Sequence, residues 1–227
     1  MRQRQPAAPA SGRHKAARFL LGCVAALGWF GPVHAAPSAS GPDQIKEMVF
    51  WQQLYANGGH TLYCNRPFKD KTLLIDTDYL YPLRTMARHL KCASVRACAG
   101  NPQFQLMASD LHNMYPALKA VIRDRRNSLF GTVPGHDYKF ENCTYKTTFQ
   151  ETEPPDFAKG NIARAILYMH TQYGLPIPGR QDLMREWNKT DPVDAAERQR
   201  NDAIDKLQGN RNPYIDHPDK IEALYKF

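Results

Sequence analysis

Three short stretches carry side chains whose types and spacing can do chemistry. In Asp76-Thr77-Asp78-Tyr79-Leu80-Tyr81-Pro82, two carboxylates stand two residues apart at the end of a β-prone run. Period-two geometry puts both on one face of a strand, where their oxygens can hold a hard divalent cation. The same residues also spell a polar strand end entering a turn. In Ser109-Asp110-Leu111-His112-Asn113, set inside an apolar helical pattern, Asp110 and Asn113 are three apart and share a helix face. An Asn amide oxygen beside a carboxylate is a neutral metal ligand, and the competing reading is a hydrogen-bonded brace of Asp, His and Asn. In Leu207-Gln208-Gly209-Asn210-Arg211-Asn212-Pro213-Tyr214, with Glu186-Trp187-Asn188-Lys189 and Glu197-Arg198 upstream, Arg211 and the amides can contact phosphate. That run is equally a helix stop followed by a turn.

The elements around these stretches follow from apolar spacing. Gln44 to Asn57 places Ile45, Met48, Val49, Trp51 and Tyr55 at near-helical intervals, and Gly58-Gly59 stops the pattern. Thr61–Cys64 and Lys71–Asp76 read as two strands of a small sheet. A helix runs from Pro82 to Leu90, and another from Asn101 carries Phe104, Met107, Leu111, Met114 and Leu118 before the basic segment Arg123-Asp124-Arg125-Arg126. Tyr138–Phe149 suggests a strand or hairpin. Glu153-Pro154-Pro155 opens a strong helix from Phe157 to Tyr173, which Gly174 ends. Helices at Arg180–Lys189 and Asp191–Leu207 follow, with Asp191 able to cap the second. The pattern predicts one helix-dominated α+β domain with a small sheet.

Collagen-like, coiled-coil and multi-span membrane classes are excluded by 227 residues of ordinary globular composition without repeats. There is no G-x-S-x-G elbow, no phosphate-cradling glycine loop and no H-E-x-x-H. Arg2, Arg4, Arg13, Lys15 and Arg18 precede an apolar stretch, Phe19 to Phe30, which ends before Val33-His34-Ala35. This is the order of a secretory signal peptide, so residues 1–35 are expected to be removed and 36–227 to fold. Cys23 lies inside the apolar run, not after it, which disfavours a lipid anchor. With the five basic residues of that segment set aside, the charge excess falls from +8 to +3, so bulk charge does not by itself name a polyanionic partner. Four cysteines remain, Cys64, Cys92, Cys98 and Cys143, an even number that reads as two disulfides in an exported chain. Of three connectivities, the favoured one is a local Cys92–Cys98 loop with a long Cys64–Cys143 tie. Cys92-x5-Cys98 lacks zinc-site spacing.

Leu62-Tyr63-Cys64, Phe104-x-Leu106-Met107-x-x-Asp110-Leu111-His112-Asn113, Gly160-x-Ile162-Ala163-Arg164-Ala165, Leu167-Tyr168-Met169, Trp187-Asn188-Lys189, Pro192-Val193 and Gln208-Gly209-Asn210-x-Asn212-Pro213 occur in one order and spacing. In that order the sequence resembles the bacterial endonuclease I family, periplasmic or secreted nonspecific nucleases with a ββα-metal core. The resemblance runs from about Val49 to Tyr214. It implies one Mg2+ or Mn2+ ion per chain, held here by Asp78 and Asn113, with Asp110 and His112 behind them. It also implies a leaving-group arginine at Arg96 and a general base at Tyr79. The family has Glu where Asp78 stands, His where Tyr79 stands, and His where Arg211 stands. A phenol near pKa ~10 is a poor base at neutral pH. The resemblance therefore implies a monomeric nuclease of the periplasm or medium, off the membrane once its signal is cleaved. It acts on DNA and RNA backbones, with activity weakened by the lost His. A catalytically impaired nucleic-acid-binding protein is the alternative, and an exported structural protein a third reading.

Overall fold

The computed structural model describes residues 41–135, 138–140 and 142–224, so the expected signal segment 1–35 lies outside the described residues. The chain enters through α1 (Pro42–Gln44) and continues as a π-helix, Ile45–Leu54, closed by Tyr55 N–H donating to Phe50 O at 3.0 Å. The expected first helix is thus present but wound more widely than an α-helix. Its Phe50 and Trp51 bury a small core with Ile75, Leu111, Met114 and Ile204.

Two short strands, β1 (Gly59–His60) and β2 (Pro67–Phe68), pair antiparallel. Thr61–Cys64, expected as a strand, is instead the turn between them, where Asn65 N–H donates to Thr61 O. Tyr63 and Cys64 are drawn inward by tertiary bonds, which outweigh their β-propensity. The run expected as Lys71–Asp76 forms a strand four residues later, β3 (Ile75–Tyr79). β3 pairs with β4 (Met114–Leu118) in a register running from Ile75↔Leu118 to Tyr79↔Met114. Pro116 is tolerated because this sheet has two strands, and its carbonyl accepts from Leu62 N–H at 2.8 Å.

Between the two strands lie α2 (Leu83–His89), α3 (Val95–Cys98) and α4 (Pro102–Ser109). The single helix expected from Asn101 to Leu118 ends at Ser109. Asp110 accepts from His112 N–H at 2.9 Å, which starts a 3-10 turn, Leu111–Asn113, and the chain then extends into β4. Asp110 and Asn113 therefore do not share a helix face. α5 (Lys119–Arg125) follows the hairpin, so the ββα order is present. β5 (Leu129–Phe130), β6 (Lys146–Thr147) and β7 (Glu151–Glu153) form a second sheet in the order β5-β7-β6. Of the expected Tyr138–Phe149 hairpin, the described residues form only β6 and one bridge between Phe140 and Cys143.

The larger core surrounds α6 (Asp156–Tyr173), which Gly174 stops at φ 66°. α7 (Gln181–Thr190), α8 (Ala195–Gln208), α9 (Pro213–Asp216) and α10 (Lys220–Ala223) complete the order. Asp194, not Asp191, caps α8, accepting from Glu197 N–H at 2.7 Å. Asp191 instead accepts from Gly160 N–H at 2.8 Å on the close approach of α6. A Cβ on Gly160 would lie 2.0 Å from the Asp191 carbonyl, so Gly160→Ala is expected to cost about 1–3 kcal/mol of overpacking. Urea melts read this, and an unchanged midpoint would refute it. Cys64–Cys143 and Cys92–Cys98 are both bonded, as the cysteine spacing suggested. The described residues form an α+β unit, and among them no helix is long and apolar enough to cross a membrane.

Candidate active site

Alternation along β3 sends neighbouring side chains to opposite sides. Asp78 faces α5 and is 4% exposed. Its Oδ2 accepts from Tyr63 Oη at 2.6 Å and from Arg125 Nε at 2.9 Å, and its Oδ1 accepts from Arg125 Nη2 at 2.9 Å. Arg125 Nη2 also donates to the Tyr79 carbonyl at 2.7 Å, and the guanidinium lies over the Phe130 ring. Arg125 reaches this place because it sits one turn after Val121 on the inward face of α5. Although burial opposes its charge, the Asp78 carboxylate holds the Arg125 pKa above its ordinary value. Burial likewise pushes the Tyr63 phenol well up.

Tyr79 points the other way, into the small core beneath the π-helix. Burial, then the carboxylates of Asp43, Asp76 and Glu47, raise its phenol well above the ordinary range. Asp76, half-exposed, accepts from Thr77 N–H and lies 3.8 Å from Lys119. Asn113, fully buried, spends its amide on one backbone unit: Oδ1 accepts from Tyr81 N–H at 2.6 Å, and Nδ2 donates to Tyr81 O at 3.0 Å. It thus extends the hairpin by one side-chain pair beyond Tyr79↔Met114.

As they stand, Asp78 and Asn113 do not fit a divalent ion. Both carboxylate oxygens of Asp78 already face a guanidinium, which would repel a second cation in the same dry pocket. The Asn113 oxygen is occupied by a backbone donor. Among the described residues there is no group of three or more His, Cys, Asp or Glu able to hold a metal.

Asp110 gathers Tyr168 Oη at 2.7 Å, Tyr173 Oη at 2.6 Å, Gln208 Nε2 at 2.9 Å and His112 N–H. His112 is buried, its Nε2 is 3.3 Å from Asn210 O, and its ring packs on Tyr168. These residues brace the turn that delivers Asn113. Arg211 is taken by Asp216 and Asp202, at 2.7 and 2.8 Å, and so does not offer a free cation to phosphate. Asn212 turns inward and donates to Arg164 O at 3.0 Å. Arg164 in turn pairs with Glu197 and donates to Asn188 Oδ1 at 2.9 Å. Three of the motifs thus meet in one buried polar network. Arg96 lies exposed on the small disulfide loop, in a cleft of about 480 Å3 shared with Arg84 and Arg88. None of Asp78, Tyr79 and Asn113 lines that cleft.

Sequence reasoning missed Tyr63 and Arg125, the two groups that occupy Asp78. A signal existed for Arg125, which falls in phase with Val121 within an amphipathic turn.

A disulfide-stapled scaffold carrying a hairpin–helix core falls, with its sequence relatives, in the class of nucleases. The family model described as Endonuclease I matches residues 87–219. A periplasmic deoxyribonuclease of Aeromonas hydrophila is 34% identical over 161 residues, covering 68% of this chain and 68% of the relative. An extracellular deoxyribonuclease of the same organism is 34% identical over 149 residues, covering 63% and 66%. An extracellular ribonuclease of Bacillus subtilis (strain 168) is 34% identical over 143 residues, covering 52% and 46%. The first two matches span about two thirds of their relatives' length. The chain belongs to the endonuclease I family.

Proposed function

We propose that this chain is an exported, monomeric, nonspecific endonuclease that engages DNA and RNA through the phosphate backbone and hydrolyses them weakly at neutral pH. Relatives named as periplasmic and extracellular deoxyribonucleases, and one named as an extracellular ribonuclease, support the compartment and the tolerance of either sugar. The backbone phosphate is what DNA and RNA share. The weakness rests on Tyr79: it stands where the family has a basic His, its phenol is held protonated, and it faces the π-helix. Loss of a general base removes about 10²- to 10⁴-fold of rate. Magnesium or manganese belongs to the family's chemistry as polarising charge on the phosphate. Asp78 and Asn113, held by Arg125, Tyr63 and the Tyr81 backbone, do not fit such an ion as they stand.

The closure of Asp78 by Arg125 and Tyr63 favours a second reading, a family member that binds nucleic acid without cutting it. Nicking of supercoiled plasmid and cutting of single-stranded RNA, followed from pH 6 to 10 with and without EDTA, separate the two. Cleavage at pH 7 is expected to be about 10²- to 10⁴-fold slower than by the periplasmic relative. Rapid cutting at pH 7 that EDTA abolishes would overturn the proposal. Binding without cutting at any pH would establish the second reading.

A further inference from the structure

Arg84, Arg88, Arg96 and Arg126 are all exposed, and no hydrogen bond or ion pair to a carboxylate engages them among the described residues. Arg125, Arg164, Arg180 and Arg211, by contrast, are each paired with Asp or Glu. These four arginines line two clefts that share Arg84. One, of about 480 Å3, runs along α2 to the small disulfide loop and holds Arg88 and Arg96. The other, of about 640 Å3, runs from Arg84 past Arg126, Asn127 and Ser128 to the β6–β7 turn. One acid, Glu151, lines this second cleft, and its carboxylate lies against Gly131.

At the far lip stands Phe149, 84% exposed, on a turn that Thr148 Oγ1 fixes by accepting from Gln150 and Glu151 N–H. The Arg126 guanidinium lies 5.7 Å from its ring centroid. A large apolar ring held in water on a fixed turn, next to a planar cation, presents a stacking surface. Bases offer their faces to such a surface only when they are not already stacked in a duplex.

We propose that this pair of clefts is a track for single-stranded nucleic acid, with the four arginines following the phosphates and Phe149, backed by Arg126, stacking on a base. The proposal rests on the nucleic-acid reading above and adds the strand state that the chain prefers. Unpaired strands would bind without reference to sequence, because every base has a stacking face.

The test is fluorescence anisotropy of the signal-free chain with a labelled single-stranded oligonucleotide and a hairpin duplex, in EDTA, over a salt series. Gels run alongside to confirm that the probes stay intact. Wild type is expected to bind the single strand more tightly. Phe149→Ala is expected to weaken single-strand binding by about 5- to 100-fold and duplex binding by less than about two-fold. Phe149→Trp should keep the preference. Arg84→Ala and Arg96→Ala should each weaken both probes and reduce the single-strand salt slope by about 0.7. Equal losses for both probes in Phe149→Ala, or none, overturn the stacking assignment even if plasmid is still cut. A wild-type chain that neither binds nor cuts would instead bring down the nucleic-acid reading itself.

Discussion

Arg125→Ala is expected to lower the unfolding free energy by about 3–5 kcal/mol, the range seen when one partner of a buried ion pair is removed. The loss comes less from the attraction forgone than from Asp78, which would stay buried with Tyr63 as its one remaining donor. The bond to the Tyr79 carbonyl and the contact with Phe130 would go too. Asp78→Leu with Arg125→Met should recover part of the loss: a packed apolar pair removes the desolvation penalty along with the charges, while the buried Tyr63 hydroxyl and the Tyr79 carbonyl lose these partners. Urea unfolding with the double-mutant cycle measures both. A loss under about 1 kcal/mol would mean that Asp78 is solvated and open to a cation, against the burial described. Excess magnesium gives an independent readout. It should leave the wild-type melting temperature unmoved, and a rise on adding it would return Asp78 to the role of a metal ligand.

Acidification is expected to remove about 3 kcal/mol of stability between pH 6.5 and 4 through His112 alone. Burial lowers its pKa from 6.5 to about 4, and the nearby Arg200 and Arg211 reinforce this against the opposing pull of Asp110 and the Asn210 carbonyl. The folded value lies below the unfolded one, so the unfolded chain takes up a proton first. Stability is therefore complete above 6.5 and declines as pH falls toward 4. The carboxylates held below their ordinary values, Glu153 and Asp216 among them, lose their contribution in more acidic solution. His112→Gln keeps a donor for Asn210 O and should flatten the difference between melts at pH 7 and pH 4.5. If the variant shows the wild-type slope, other groups carry the acid response.

The strongly patterned parts of the fold were legible in the sequence. The Pro-Pro entry and Gly174 stop framed α6, and the cysteine count with an exported reading led to the two disulfides. What failed were places where one side chain decides between two patterns. Met107, Leu111, Met114 and Leu118 fit a helical stripe, but Asp110 turns back on His112 N–H and converts the second half into strand. At the candidate site, residue types directed attention to Asp78 and Asn113, yet their roles depend on partners distant in the chain. Arg125 is 47 residues from Asp78, and the Tyr81 backbone is 32 from Asn113. No local spacing encodes either contact. The motifs at Gly160, Arg164, Asn188 and Asn212 carried the family resemblance, and their polar groups hold helices together.

The Cys64–Cys143 tie encloses residues 64–143 in a covalent ring, with the Cys92–Cys98 loop nested inside it. Asp78, Asn113, Arg125 and all four arginines of the proposed track lie on that ring, while Phe149 lies outside it. A single proteolytic cut between the two cysteines would therefore open the ring without releasing a fragment. The nicked chain would migrate as one species until a reductant was added. For an exported protein meeting proteases, cleavage inside the ring and loss of the hairpin–helix core become separate events, whereas one cut between Cys143 and Phe149 would break the only covalent link from the ring to Phe149 and α6.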